Sequence, residues 1–129
     1  MTRILFVDDD LSLAEEMKFL LEETGFEVTT ANDGEEAFRI AREKEFDIVI
    51  TDILLIKSHG ADVILHMRQF HPSVKILTIS GGGWASAQFH LDSARLLGAD
   101  SCLAKPFSIE TLVKEINRLL AKPQNGPAE

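Results

Sequence analysis

Short apolar runs alternate with stretches of helical period along nearly the whole chain, and this alternation constrains the fold more than any other feature. RILFV (3–7), FDIVIT (46–51) and VKILTIS (74–80) are almost continuously apolar, the pattern of a strand covered on both faces; FEVTTA (26–31) and DSCLA (100–104) are weaker examples. Between and after them, apolar residues recur at helical spacing: Ala14, Met17, Leu20 and Leu21; Ala37, Ile40 and Ala41; Val63, Ile64, Met67 and Phe70; Leu91, Ala94 and Leu97; and Ile109, Leu112, Val113, Ile116, Leu119 and Leu120. Strands joined through helices need right-handed crossovers, which make the strands parallel and place helices on both sides of the sheet. The order is therefore (βα)5, a doubly wound five-stranded parallel sheet in a three-layer α/β/α domain.

Local punctuation agrees. Ser12 with Glu15 and Asp33 with Glu36 have the spacing of capping boxes, and Gly25 and Gly98 stand where helices should stop. The pattern predicts one domain over residues 1–121 and a flexible tail, KPQNGPAE, of which 122–129 is Pro, Gly and polar. A chain of 129 residues with 45% hydrophobic content can bury one core. Its 13 basic and 21 acidic residues give a net charge of −8, which disfavours direct binding of nucleic acid or anionic lipid and suits a cation or a basic partner. Cys102 is the single cysteine, so no internal disulfide forms; no apolar run approaches the roughly 18 residues of a membrane span, and the acidic start does not read as a secretion signal. A cytoplasmic monomer or weak dimer is expected.

In an open parallel sheet, ligands bind beyond the carboxyl ends of the strands, near the point where strand order reverses. The first strand ends in Asp8-Asp9-Asp10, the third in Asp52, the fourth in Ser80-Gly81-Gly82-Gly83 and the fifth in Lys105-Pro106. The bland reading of the Asp triplet is a solvated turn whose last member caps a helix. Taken with the other strand ends, it has a chemical logic. Crowded carboxylates are tolerable around a hard cation, and Mg2+ takes one or two carboxylates together with water and phosphate oxygens. Asp52 can then attack a phosphoryl donor, with Lys105 and Ser80 offering a point charge and a hydrogen bond to the transferred oxygens. Glycines after Ser80 permit close backbone approach or movement.

These segments, FVDDD, DIVITDILL, ILTISGG and GADSCLAKPF, resemble the response-regulator receiver domain of two-component signalling, over about residues 2 to 121. The resemblance implies a flavodoxin-like fold and a set of roles. Asp52 would be the phosphoacceptor; Asp9 and Asp52 would bind Mg2+ directly, Mn2+ being able to substitute; Asp8 would act through a metal-bound water, and the main-chain carbonyl of Leu54 would complete the protein ligands. Ser80 would be the switch hydroxyl and Lys105 the phosphoryl-binding lysine, with a cis bond to Pro106. The donor would be a histidine kinase or a histidine phosphotransfer protein, docking on the first helix near Ser12, Glu15, Glu16 and Phe19. The altered surface, around residues 84–97, 100–104 and 107–121, would pass the signal to a downstream protein, or the phosphoryl group would move on in a phosphorelay. No output module is read from the sequence, so a stand-alone domain without catalytic turnover is expected.

The sequence departs from the family pattern in three ways. Cys102 stands where the family usually has a switch aromatic, which shifts the expected output to movement of Gly81, Gly82, Gly83 and Trp84. Ile56 replaces a common proline, and Leu54 and Gly82 lack side chains able to orient an attacking water, so slow self-dephosphorylation is expected. His59, His66, His71 and His90 lack metal-ligand spacing and are read as surface histidines; Cys102 is read as a small core filler. Two rival readings exist. A haloacid-dehalogenase-type phosphatase would use Asp8 and Asp10 as its paired aspartates, and a receiver-like adaptor would bind its partner without phosphorylation. A flavin site is disfavoured by the acidic first loop.

Overall fold

The computed structural model describes residues 1–53, 60–81, 92 and 95–122. Five strands form one parallel sheet in the order β2-β1-β3-β4-β5: β1 (Arg3–Val7), β2 (Glu27–Ala31), β3 (Ile48–Asp52), β4 (Lys75–Ser80) and β5 (Ser101–Ala104). Helices α1 (Leu11–Glu23), α2 (Gly34–Glu43) and α3 (Gly60–Phe70) follow the first three strands, residues 95–97 are helical ahead of β5, and a C-terminal helix spans Ile109–Ala121. The strands start one or two residues later than the apolar runs at 46 and 74. Phe46 packs on the core while Asp47 turns the chain into β3: its carboxylate accepts the Arg3 amide at 2.8 Å and its carbonyl accepts the Lys75 amide at 3.2 Å.

Alternation along the central strands builds two cores. Ile4, Phe6, Ile48, Ile50, Leu77 and Ile79 face one side with Ala14, Met17 and Leu21 of α1 and Leu112, Ile116 and Leu119 of the C-terminal helix. Leu5, Val7, Val49 and Ile76 face the other, with Ala37 and Ile40 of α2 and Val63, Ile64 and Met67 of α3. This explains the continuous apolar runs, since after Arg3 each residue of β1, β3 and β4 is buried whichever way it points.

The helix starts contain one correction. The N-cap of α1 is Asp10, whose Oδ1 accepts the Leu13 amide at 3.1 Å, so the Ser12–Glu15 capping box is wrong and Ser12 is exposed in the first turn. Asp10 lies between the last strand residues and the helix, where only its carboxylate can reach the orphan amides. Asp33 caps α2 as expected, accepting the Glu36 amide at 2.9 Å, while Glu36 reaches back to the Asn32 amide at 2.6 Å. Gly25 and Gly98 hold φ of +105° and +111°, the left-handed conformation that ends helices.

A polar clamp sets the entry of the last two strands. Arg68, in the last turn of α3, donates Nε to the Gly98 carbonyl (2.7 Å), Nη1 to the carbonyls of Val74 (2.6 Å) and Pro72 (3.2 Å), and Nη2 to the Asp100 carboxylate (2.7 Å). That carboxylate also accepts the Ile76 amide at 2.8 Å. With β4 and β5 fixed in register at this edge, Ser80 pairs with Ala104 at the opposite edge, and Lys105 follows.

His66 is half-buried rather than freely exposed. Its ring stacks on Phe38 of α2, centroids 4.1 Å apart, and abuts Phe70 at 4.8 Å; Nε2 is buried without a hydrogen-bond partner among the described residues. The contact with Phe38 comes from another helix, α2, and has no local signal in the sequence around His66. Among the described residues no helix is long and apolar enough to cross a membrane.

Candidate functional site

All five strands point the same way, so the residues that follow them gather on one edge. Strand order reverses between β1 and β3, and Asp8 and Asp52 stand at the ends of those two neighbours. Lys105, just past β5, reaches across β4: its Nζ lies 2.9 Å from Asp52 Oδ2 and 3.4 Å from Asp8 Oδ2. Ser80 ends β4 between them and is 1% exposed; its carbonyl accepts the Lys105 amide at 2.7 Å. Four residues separated by up to 97 positions thus share one cleft.

The three consecutive aspartates do different work. Asp8 is fully buried, its Oδ1 accepting the Asp10 amide at 2.9 Å and its Oδ2 facing Lys105. Burial pushes its carboxyl above the usual range, and the nearby Asp52 charge adds to this, while the Asp10 amide and Lys105 oppose it. Asp9 is half-buried at the rim, and Asp10 is exposed and committed to capping α1. Burial works to lower Lys105, but the hydrogen bond and charge of Asp52, then those of Asp8, outweigh it and leave the ammonium above its ordinary value. Asp52 is 7% exposed, so its carboxylate is reachable from solvent only along a narrow approach.

Three carboxylates against one ammonium leave an excess of negative charge in a largely desolvated cleft, which suits a divalent cation with oxygen ligands. Among the described residues, no three His, Cys, Asp or Glu side chains are gathered as a complete metal cage. A Mg2+ site built from two carboxylates, one main-chain carbonyl and water does not require one. Leu54, named for that carbonyl, lies outside the described residues, as do Ile56, His59, Gly82, Gly83, Trp84 and His90. The Lys105–Pro106 bond is cis, as the resemblance implies.

Other expected positions resolve individually. Ser12, Glu15, Glu16 and Phe19 are all exposed along α1, Phe19 at 61%. Cys102 is half-buried against the core beneath α2 and α3, and burial pushes its thiol up, with the Thr78 hydroxyl bond opposing, which fits a core filler. Gly81 is exposed, and a Cβ there would meet nothing within 4 Å, so neither close approach nor φ requires glycine at this position. One further residue at the site belongs to none of the sequence motifs: Thr51, fully buried, whose Oγ1 donates to the Asp52 carbonyl at 3.1 Å. Its signal was a hydroxyl inside an otherwise aliphatic strand. A hollow of about 770 Å3 opens at the opposite edge, but it mixes Arg42, Lys44 and Lys122 with Glu43, Glu45 and Asp47 and includes none of the strand-end carboxylates.

Residues 4–117 match the family model of the response regulator receiver domain. The chain is 35% identical over 122 residues to the transcriptional regulatory protein CpxR of Escherichia coli, covering 95% of this chain and 50% of that one. It thus spans about half the length of the curated relatives it matches. Among solved structures, the chemotaxis response regulator CheY4 of Vibrio cholerae superposes with a TM-score of 0.84 at 30% identity, covering 92% of this chain and 98% of that one. The response regulator TrrA of Thermotoga maritima, in complex with Mg2+ and BeF, gives 0.79 at 31% identity, covering 92% and 99%. The parallel sheet, the acidic strand ends bridged by one lysine and these matches together place the chain in the response-regulator receiver-domain family.

Proposed function

We propose that this receiver domain accepts a phosphoryl group onto Asp52 from the phosphohistidine of a histidine kinase or histidine phosphotransfer protein. The observation that carries this reading is the Lys105 ammonium held at 2.9 Å from Asp52, at the reversal point of the sheet and beside the buried Asp8. An Asp52 oxygen attacks phosphorus, forming the O–P bond as the N–P bond to the donor imidazole breaks. Lys105 then exchanges its contact with the carboxylate for one with a phosphoryl oxygen, and Ser80 at the adjacent strand end donates to another. Asp9 and Asp52, with the Leu54 carbonyl, would hold Mg2+ directly and Asp8 would hold it through water; when bound, the ion neutralises charge on the transferring group. The exposed face of α1 around Phe19, Glu15 and Glu16 is the surface offered to the donor.

The output is a change in protein binding or onward transfer of the phosphoryl group, without catalytic turnover of a small substrate. CpxR is a transcriptional regulatory protein about twice as long as the matched segment; the net charge of −8 suits this chain to receiving the phosphoryl group rather than to binding nucleic acid directly. A phosphatase built on Asp8 and Asp10 has less support, because both Asp8 oxygens are engaged and Asp10 points into the first turn of α1. The test is titration with beryllofluoride followed by NMR. Shifts around Asp52, Ser80 and Lys105 that require Mg2+ and vanish in Asp52→Asn are expected; binding that survives in Asp52→Asn contradicts the assignment.

A further inference from the structure

We propose that Thr51 is a positioning residue for Asp52, a role that rests on Asp52 being the phosphoacceptor. β3 reads IVITD, and Thr51 is fully buried, paired in register with Val7 of β1 and Thr78 of β4. A buried hydroxyl is costly unless it is hydrogen-bonded, so a threonine there calls for a partner. That partner is the carbonyl of Asp52 itself, at 3.1 Å. The amide on the other side of the same peptide, that of Ile53, donates to the Ile79 carbonyl of β4 at 3.0 Å.

Both polar groups of the peptide that leaves Asp52 are therefore held, one by β4 and one by Thr51. Because the peptide is planar, this fixes the torsion on the carboxyl side of the Asp52 α-carbon at the point where the strand ends. Upstream, the β3–β4 ladder holds the chain through Thr51 and Thr78. The Asp52 side chain thus projects from a backbone pinned on both sides, toward the Lys105 ammonium and the mouth of the cleft. In-line transfer depends on such alignment, and small misplacement of the attacking atom slows it. Valine would fill the same volume and donate nothing.

The test compares wild type, Thr51→Ser, Thr51→Val and Thr51→Ala in the rate of Asp52 phosphorylation by acetyl phosphate with Mg2+, followed by intact-protein mass spectrometry. Rates are normalised to the folded fraction, and thermal stability is measured in parallel. Loss of one buried hydrogen bond at the reacting residue should slow Val and Ala about three- to ten-fold, with Ser staying near the wild-type rate because it keeps the donor. Val or Ala reacting as fast as wild type while only stability falls overturns the positioning role, as does Ser reacting as slowly as Val. A wild type that takes up no phosphoryl group overturns the functional reading and this inference with it, so the two failures are distinguishable.

Discussion

Replacing Asp8 by Asn separates the cost of burying a charge from the shape of the side chain that carries it. The carboxyl is fully buried, and its burial, joined by the charge of Asp52, raises its pKa despite the Asp10 amide and Lys105. The Asp10 amide donates to Asp8 Oδ1 at 2.9 Å, a bond that the Asn carbonyl oxygen can still accept, and Asn removes the repulsion with Asp52. What is lost is the 3.4 Å pairing with Lys105, which keeps its 2.9 Å contact with Asp52. The balance favours the variant by about 1–2 kcal/mol in metal-free buffer near neutral pH, a stability gained by giving up a site charge. For a domain of this size that is roughly 3–8 °C in melting temperature. The sign with pH follows from the raised value. The folded state holds its Asp8 proton more tightly than the unfolded chain, so wild type gains stability as pH falls through the folded pKa, and Asp8→Asn does not. Mg2+ should narrow the gap, because it stabilises wild type more than the variant. Thermal melts across pH, with and without Mg2+, are the assay. A variant less stable than wild type without metal, or one with the same pH slope, refutes the reasoning.

Elsewhere in the molecule, Arg68→Ala removes all four hydrogen bonds that Arg68 donates in the clamp and should cost about 2–4 kcal/mol in urea denaturation; unchanged stability would show that the clamp is idle. Gly98→Ala forces a Cβ to 2.8 Å from Arg68 Cγ at φ +111° and should cost about 1–3 kcal/mol in the same assay. Asp10→Ala loses the α1 cap, about 1 kcal/mol by thermal melt, and should leave acetyl phosphate reactivity intact, in contrast to Asp52→Asn. His66 is held below the ordinary imidazole value by burial, then by His71 and Arg42. Its stabilising contribution is complete above that ordinary value and is lost as pH falls toward the folded one; His66→Phe should flatten this limb in melts taken across mildly acidic pH.

Much of the architecture was legible because parallel strands buried on both faces carry no alternation to misread: RILFV, and the cores of FDIVIT and VKILTIS, became β1, β3 and β4. The site was legible for the same reason, since parallel strands deliver Asp8, Asp52, Ser80 and Lys105 to one edge once their ends are located. What escaped depends on groups far apart in sequence or on a hydroxyl's direction. The clamp from Arg68 to Asp100 spans 32 residues and has no local pattern. His66 looked exposed until Phe38 of another helix covered it. Ser12 and Asp10 are both acceptable caps by residue type, and only the point at which the chain leaves β1 chooses between them. Thr51 is compatible with any strand by propensity, and its bond to Asp52 becomes visible only with the backbone in place.

The central claim, that Asp52 is the acceptor and Asp8 is not, is tested most directly by mass spectrometry of the protein incubated with acetyl phosphate and Mg2+, with the modified residue located after digestion. One phosphoryl group on Asp52 in wild type, none in Asp52→Asn and a slower gain at the same residue in Asp8→Asn is the expected result. Incorporation that persists in Asp52→Asn, or that disappears only in Asp8→Asn with the label found on Asp8, would contradict the account.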